Sequence, residues 1–264
     1  MTKQYVELSL DAKGVAWLTL NRPEVHNAFD DIMIEQLITA LEETDRNTNV
    51  RALVLRAHGK NFSAGADLAW MKRMANHSRQ KNLDDASRLA LLMERLNHYS
   101  KPTMALIKGA VYGGAVGLTA CCDLVIATRN SNFCLSEVRI GLIPAVISPY
   151  VIRAIGERQA RRYFMTAEAF NAVTAQQFGL VHELAEDDVE LDSLCHQLLK
   201  PFYRNSPQAV SAAKSLIHAV SQQPIDQALI RDTATRIADI RVSDEGQEGL
   251  NAFLSKRQPT WIEE

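Results

Sequence analysis

The stretch "ALIKGAVYGGAVGLTACCDLVIATRN", residues 105–130, places four glycines (Gly109, Gly113, Gly114 and Gly117) within nine positions between two apolar runs. An apolar run that meets glycines and continues as a small-residue segment reads as strand, turn, helix and then a second strand over "DLVIAT". The same step occurs earlier, where the strand pattern "VRALVLRAHG" leads through "FSAGADL" into a helix with Asp67 near its start. A strand-to-helix turn built from Gly and Ala exposes backbone N–H groups at a helix N-terminus, and such groups can bind an anion or a negatively charged oxygen. Two turns of this kind, close in space, can each give one N–H to a single oxyanion hole. Small residues also simply let a helix pack closely on a strand. Neither turn has the spacing of the phosphate loop GxxxxGK[ST] or of the dinucleotide fingerprint GxGxxG.

Outward from this centre, "YVELSLDAKGVAWLTLN" alternates on both sides of Asp11–Gly14, with Val6, Leu8 and Leu10 on one face, and reads as a β-hairpin. Residues 32–41 place Ile34, Leu37, Ile38 and Leu41 at helical spacing. The polar run 76–81 reads as mobile, with a helix from about 84 to 99. "PTMALIKGAV" reads as one strand. An amphipathic helix follows over "SPYVIRAIGERQARRYFMT". From about residue 185 the strand signal vanishes. "ELDSLCHQLLKPFYR" sets Leu191, Leu194, Leu198, Leu199 and Phe202 on one helical stripe, and three more helical stretches follow. The pattern is an α/β core followed by a helical region.

The 264 residues suffice to bury a sizeable core, with 47% hydrophobic and 23% charged residues and a formal net charge of −2. That charge gives no whole-chain case for nucleic acid or an anionic membrane. No signal peptide is expected from "MTKQYVELSL", and no apolar run approaches the roughly 20 residues of a membrane helix. The four cysteines, Cys121, Cys122, Cys134 and Cys195, lack CxxC spacing, so buried reduced thiols and a cytoplasmic location are expected, with no metal site.

Acid–base candidates are few. Glu137 in "CLSEVRIGLIP" is a lone acid beside an apolar run, where desolvation would disfavour its charge and suit it to proton transfer; a salt bridge to Arg139 is the plainer alternative. Ser136 and His26 suggest a nucleophile and base, but no GxSxG elbow is present.

These residues fall within a pattern that resembles the crotonase (enoyl-CoA hydratase/isomerase) superfamily. The resemblance spans nearly the whole chain through "NRPEVHNAF", "VRALVLRAHGKNFSAGADL", "KPTMALIKGAVYGG", "CDLVIAT", "SEVRIGLIP", "MTAEAFNAVTAQQFGLVHEL" and "EGLNAFLSKRQPTW". It implies an α/β fold: a ββα spiral core over residues 1–190 carrying an acyl-CoA thioester site, and a helical region over 191–264 that builds homotrimers or hexamers. It implies that Ala66 and Gly114 supply the two N–H donors to the thioester oxygen and that Glu137 is the acid–base residue. Ala64, Asp67 and Leu68 would lie along the adenine and pantetheine, Val25 and His26 would touch the CoA nucleotide, and Phe253 and Lys256 would reach it from a neighbouring subunit. No separate cofactor is implied, since coenzyme A is part of the substrate.

The sequence departs from the two-glutamate pattern of well-known hydratases, because the first glutamate's position is Gly117. Isomerases with a single glutamate are one alternative, and a non-catalytic CoA-thioester or RNA-associated scaffold is another. The wording "GADLAWMKRMA" and "GGAVGLTACCD" most resembles bacterial methylglutaconyl-CoA and γ-carboxygeranoyl-CoA hydratase-like proteins of leucine and isoprenoid breakdown. The expectation is therefore hydration of a branched, carboxylated 2-enoyl-CoA such as 3-methylglutaconyl-CoA.

Overall fold

Strands β1 (Val6–Leu10) and β2 (Val15–Leu20) form the expected antiparallel hairpin. Its turn is held by Asp11, whose Oδ1 accepts from the backbone N–H of Lys13 and Val15, both at 2.9 Å. Three further strands add in parallel to β2: β3 (Ala52–Ala57), β4 (Thr103–Ile107) and, beyond a crossover, β6 (Leu124–Thr128). With β9 (Glu183–Ala185) they complete a six-stranded sheet ordered β1-β2-β3-β4-β6-β9. A second sheet has three short strands, β5 (Ala110–Tyr112), β7 (Asn132–Cys134) and β8 (Phe170–Asn171). The computed structural model describes residues 3–262.

The helices are α1 (Asp31–Arg46), α2 (Leu68–Met74), α3 (Arg79–Asn97), α4 (Gly114–Cys121), α5 (Ser148–Thr166), α6 (Ala172–Gln177), α7 (Asp188–Arg204), α8 (Pro207–Val220), α9 (Gln227–Val242) and α10 (Asp244–Leu254). The large sheet is buried on both faces, which is why its central strands read as unbroken apolar runs. Leu53 and Leu55 face a core shared with Leu37 of α1, Leu96 of α3 and Val116 of α4. Their neighbours Ala52 and Val54 face the opposite cluster, against Leu191, Cys195 and Leu199 of α7. The change of pattern near residue 190 thus falls inside a helix that covers one face of the main sheet.

A recurring unit connects the two sheets: a large-sheet strand, a short strand in the small sheet, then a helix. It is seen in β4–β5–α4 and β6–β7–α5, and in outline in β3, the Ser63–Val111 bridge and α2. The run 102–111, expected as one strand, is therefore two. Gly109, at φ +61°, turns the chain between the sheets, and a Cβ there would meet the Lys60 carbonyl oxygen at 2.2 Å. The segment 76–81, expected to be polar and mobile, already contains the start of α3, five residues before the expected Asp84. Ser78 Oγ caps it by accepting from Lys81 N–H at 3.3 Å. All four cysteines are free and buried, as expected, and burial pushes the Cys122 thiol up to about 12.

The helical region meets the core where the rings of His98, after α3, and His218, in α8, lie 5.1 Å apart. Beside them Lys214 donates to Asp123 Oδ2 at 2.6 Å. Burial, with smaller contributions from His98 and Lys214, holds His218 below its ordinary value of 6.5. The folded chain thus favours neutral His218, whereas the unfolded chain takes up a proton near 6.5. This contribution to stability is present above that pH and is lost as pH falls through and below it. Urea midpoints for wild type and His218→Gln at about pH 7.5 and 5.5 test this. The wild type is expected to lose more stability on acidification than the variant.

Candidate active site

The two glycine-bearing turns lie side by side because the first runs along β5. Ser63 N–H donates to the Ala110 carbonyl, and Tyr112 N–H returns the bond to the Ser63 carbonyl, both at 3.0 Å. Gly65 has φ +91°, and a Cβ there would stand 2.9 Å from the Tyr112 carbonyl oxygen, so the close approach requires glycine. Phe29 sits between the turns. Its N–H donates to the Gly65 carbonyl and its own carbonyl accepts from Asp67 N–H, each at 2.9 Å, while its ring occupies the space a Cβ on Gly114 would need. Among the described residues, neither Ala66 nor Gly114 commits its backbone N–H to a protein acceptor. Both are half-buried and face the same cavity. Gly114 also opens α4, where the helix dipole adds partial positive charge.

A buried cation fixes this frame. Arg22, 7% exposed, pairs with Asp30 at 3.3 Å and with Asp67 at 3.1 Å. Asp30 caps α1 through Met33 N–H, and Asp67 caps α2 through the N–H groups of Ala69 and Trp70. Burial would raise the Asp67 carboxyl, but these N–H groups and the Arg22 guanidinium outweigh it and hold it below the usual range. Both carboxylate oxygens are thus committed to the scaffold.

The cavity has a volume of about 440 Å³. The parallel pairing of β5 with β7 brings Glu137 to it. Tyr112 lies opposite Cys134, so the chains leave the small sheet together, and Gly113 N–H donates to the Cys134 carbonyl at 2.9 Å. Three residues on, the Glu137 carboxyl rests against this turn, with Oε1 3.3 Å from where a Gly113 Cβ would stand. Its Oε2 is buried without a hydrogen-bond partner, and burial pushes the carboxyl above its ordinary value of 4.5. The salt bridge to Arg139 does not form, since that guanidinium donates to the Ala167 carbonyl instead.

Five of the residues expected at the site line the cavity: Ala64, Ala66, Leu68, Gly114 and Glu137. Asp67 does not, and is an N-cap and ion-pair partner as described. Val25 closes a short 3-10 turn, and His26 follows it with φ +55° and Nδ1 3.0 Å from Asn61 Nδ2; both are exposed and outside the cavity wall. Phe253, 81% exposed at the end of α10, and Lys256, just beyond it, also lie outside that wall. Two polar wall residues escaped sequence reasoning, Asn82 and Asp85 on α3. In one dimension they belong to an ordinary polar helix face, and no local signal marks them.

Gly117 explains itself in three dimensions. An added Cβ would stand 2.2 Å from Ile147 Cγ2 and 3.3 Å from Met93 Cε. Ile147 fills the space beside this backbone, so a carboxylate at 117 has no room.

The sequence model described as enoyl-CoA hydratase/isomerase matches residues 11–264. A crystal structure of an enoyl-CoA hydratase from Shewanella pealeana is 48% identical and superposes with a TM-score of 0.94, covering 98% of this chain and 96% of that one. The 2,3-dehydroadipyl-CoA hydratase of Escherichia coli is 32% identical over 93% of this chain and 94% of its own length. The mitochondrial Delta(3,5)-Delta(2,4)-dienoyl-CoA isomerase of Dictyostelium discoideum is 30% identical over 94% of this chain and 88% of its own. The chain belongs to the enoyl-CoA hydratase/isomerase family, within the crotonase superfamily. It is an enzyme of the enoyl-CoA hydratase type.

Overpacking at the Gly117–Ile147 contact gives a direct check. Gly117→Ala is expected to destabilise by about 1–3 kcal/mol. Adding Ile147→Ala should recover part of that loss despite removing buried apolar volume, a coupling readable in a double-mutant cycle by chemical denaturation.

Proposed function

We propose that this chain adds water across the double bond of a 2-enoyl-CoA thioester, with Glu137 as its one acid–base residue. The observation that carries the reading is the buried, unpartnered Oε2 of Glu137 beside the turn that presents the free Gly114 N–H. The N–H groups of Ala66 and Gly114 hold the thioester oxygen and stabilise the charge it gains as the enolate forms, each worth about 3 kcal/mol. The Glu137 carboxylate takes a proton from water as the water oxygen bonds to Cβ. The resulting carboxyl returns a proton to Cα as the enolate collapses, so one water is added in all. Its raised pKa brings the carboxyl closer to working pH and improves it as a proton donor. The reading needs no cofactor.

A second reading has its own observation. With Ile147 filling the space at Gly117, no second carboxylate holds water there, which favours a Δ3,Δ2-enoyl-CoA isomerase in which Glu137 carries a proton between two carbons. The names of the relatives span both reactions. Of the expected acyl group, the branched apolar part suits walls that include Trp70, Leu142, Ile143 and Val146. The distal carboxylate of 3-methylglutaconyl-CoA finds no lysine or arginine on those walls, and Arg139 is engaged elsewhere.

In this reading the CoA nucleotide lies outside the cavity, toward Val25 and His26, and meets Phe253 and Lys256 of a neighbouring copy in a homotrimer or a dimer of trimers. The large apolar side chains left open on the last helices, Ile237 at 48% and Leu254 at 76% exposure among them, support burial between copies. The location proposed is the cytoplasm. No helix of the described residues is long and apolar enough to cross a membrane.

A panel of CoA thioesters with wild type and Glu137→Gln tests the proposal. Hydration is seen as loss of the conjugated thioester absorbance with uptake of labelled solvent oxygen, whereas isomerisation turns a 3-enoyl into a 2-enoyl thioester without that uptake. Glu137→Gln should lower kcat by about 10²–10⁴ with a much smaller change in KM. Full activity in that variant would remove Glu137 from the mechanism, and absence of wild-type hydration across the panel would remove the first reading. Because the carboxylate is the base, kcat/KM should fall as pH drops through a group titrating above 4.5, the ordinary value for glutamate.

A further inference from the structure

A second carboxyl group stands on the cavity wall, and neither reaction above uses it. Asp85 of α3 lines the cavity together with Leu89, one helical turn further along. Leu89 Cδ2 lies 4.0 Å from where a Gly114 Cβ would be, so this side of α3 leads away from the oxyanion turn, and Asp85 sits about 6 Å farther along the helix. Its Oδ2 is buried without a hydrogen-bond partner, as is Nδ1 of His77, which lies in the turn between α2 and α3. The two atoms are 3.3 Å apart, and both side chains are 26% exposed.

The charge of the whole wall follows from its composition. Besides Asp85, its polar side chains are Asn82, Ser136 and Glu137, and it contains no lysine or arginine. Two guanidinium groups near it are engaged elsewhere: Arg73 of α2 pairs with Asp31 at 2.5 Å, and Arg139 donates to the Ala167 carbonyl. Whether His77 is neutral or protonated, its pair with Asp85 carries no net positive charge. An acyl chain ending in a carboxylate would be desolvated here beside acids, with no lysine or arginine on the wall to meet it. An apolar chain meets Trp70, Met74, Leu89 and Ile143 instead.

We propose that Asp85, backed by His77, is a specificity-determining residue that rejects acyl chains bearing a distal carboxylate, so the substrate is an uncharged, apolar enoyl thioester. The proposal rests on the reading of this cavity as the site of a CoA thioester. It uses repulsion of the wrong substrate as well as attraction of the right one.

Unreactive saturated thioesters separate this proposal from the chemistry. Calorimetry with the full chain should show hexanoyl-CoA binding at least roughly thirtyfold more tightly than adipoyl-CoA, which has the same chain length with a terminal carboxylate. Asp85→Asn should narrow the ratio of the two dissociation constants by about fivefold or more, while Asp85→Glu should keep it wide, with circular dichroism checking that each variant is folded. Tighter binding of adipoyl-CoA, equal binding of the two, or a ratio unmoved by Asp85→Asn overturns the specificity role. In each of those cases hydration of a hex-2-enoyl thioester would still stand on its own assay. If neither thioester binds, the thioester reading itself fails and the selectivity fails with it.

Discussion

Gly65 cannot carry a side chain, because one would be driven into the carbonyl of Tyr112. That single steric constraint lets two separate strand-to-helix turns run against each other, and most of the site follows from it. Phe29 fills the gap that remains, bonding to both sides of one turn and pressing its ring on the glycine of the other. Two backbone N–H groups are thereby left without protein acceptors at the rim of an apolar cavity. Donors held by the main chain need no reorganisation when charge develops before them, which is where preorganised sites gain most of their effect.

The buried charges divide by whether they are satisfied. Arg22 with Asp30 and Asp67 forms a charge-compensated cluster whose carboxylate oxygens also cap two helices, so it holds loops in place. Glu137 and Asp85 lack such a cationic partner among the lysines and arginines: Glu137 Oε2 is buried without a hydrogen-bond partner, and Asp85 faces only His77, at 3.3 Å. Such groups are costly in a folded chain. In this chain both belong to one cavity.

Gly117 and Ile147 form a matched pair in the same sense. The glycine leaves room for a β-branched side chain, and that side chain closes the room against anything larger. With Ile147 on the cavity wall, the surroundings of the Glu137 carboxyl stay largely apolar. Its raised pKa is the electrostatic result of that arrangement.

Much of this was legible in one dimension where the pattern is local. The hairpin around Asp11–Gly14, the helical spacing over residues 32–41, the buried cysteines and the two glycine turns all follow from alternation, helical spacing and turn chemistry. The stretch 105–130 by itself identified the small-residue turn at Gly113–Gly114 and the absence of an acid before Asp123. Only the tertiary structure decided what depends on distant neighbours. Gly109 splits one apolar run between two sheets because of the Lys60 carbonyl, and the Asp67 carboxylate that caps α2 is paired with Arg22, 45 residues away. Asp85 becomes a wall residue only because α3 packs beside the Gly114 turn. Periodicity records which face of an element is apolar, but whether a polar group finds a partner is settled by segments remote in the chain.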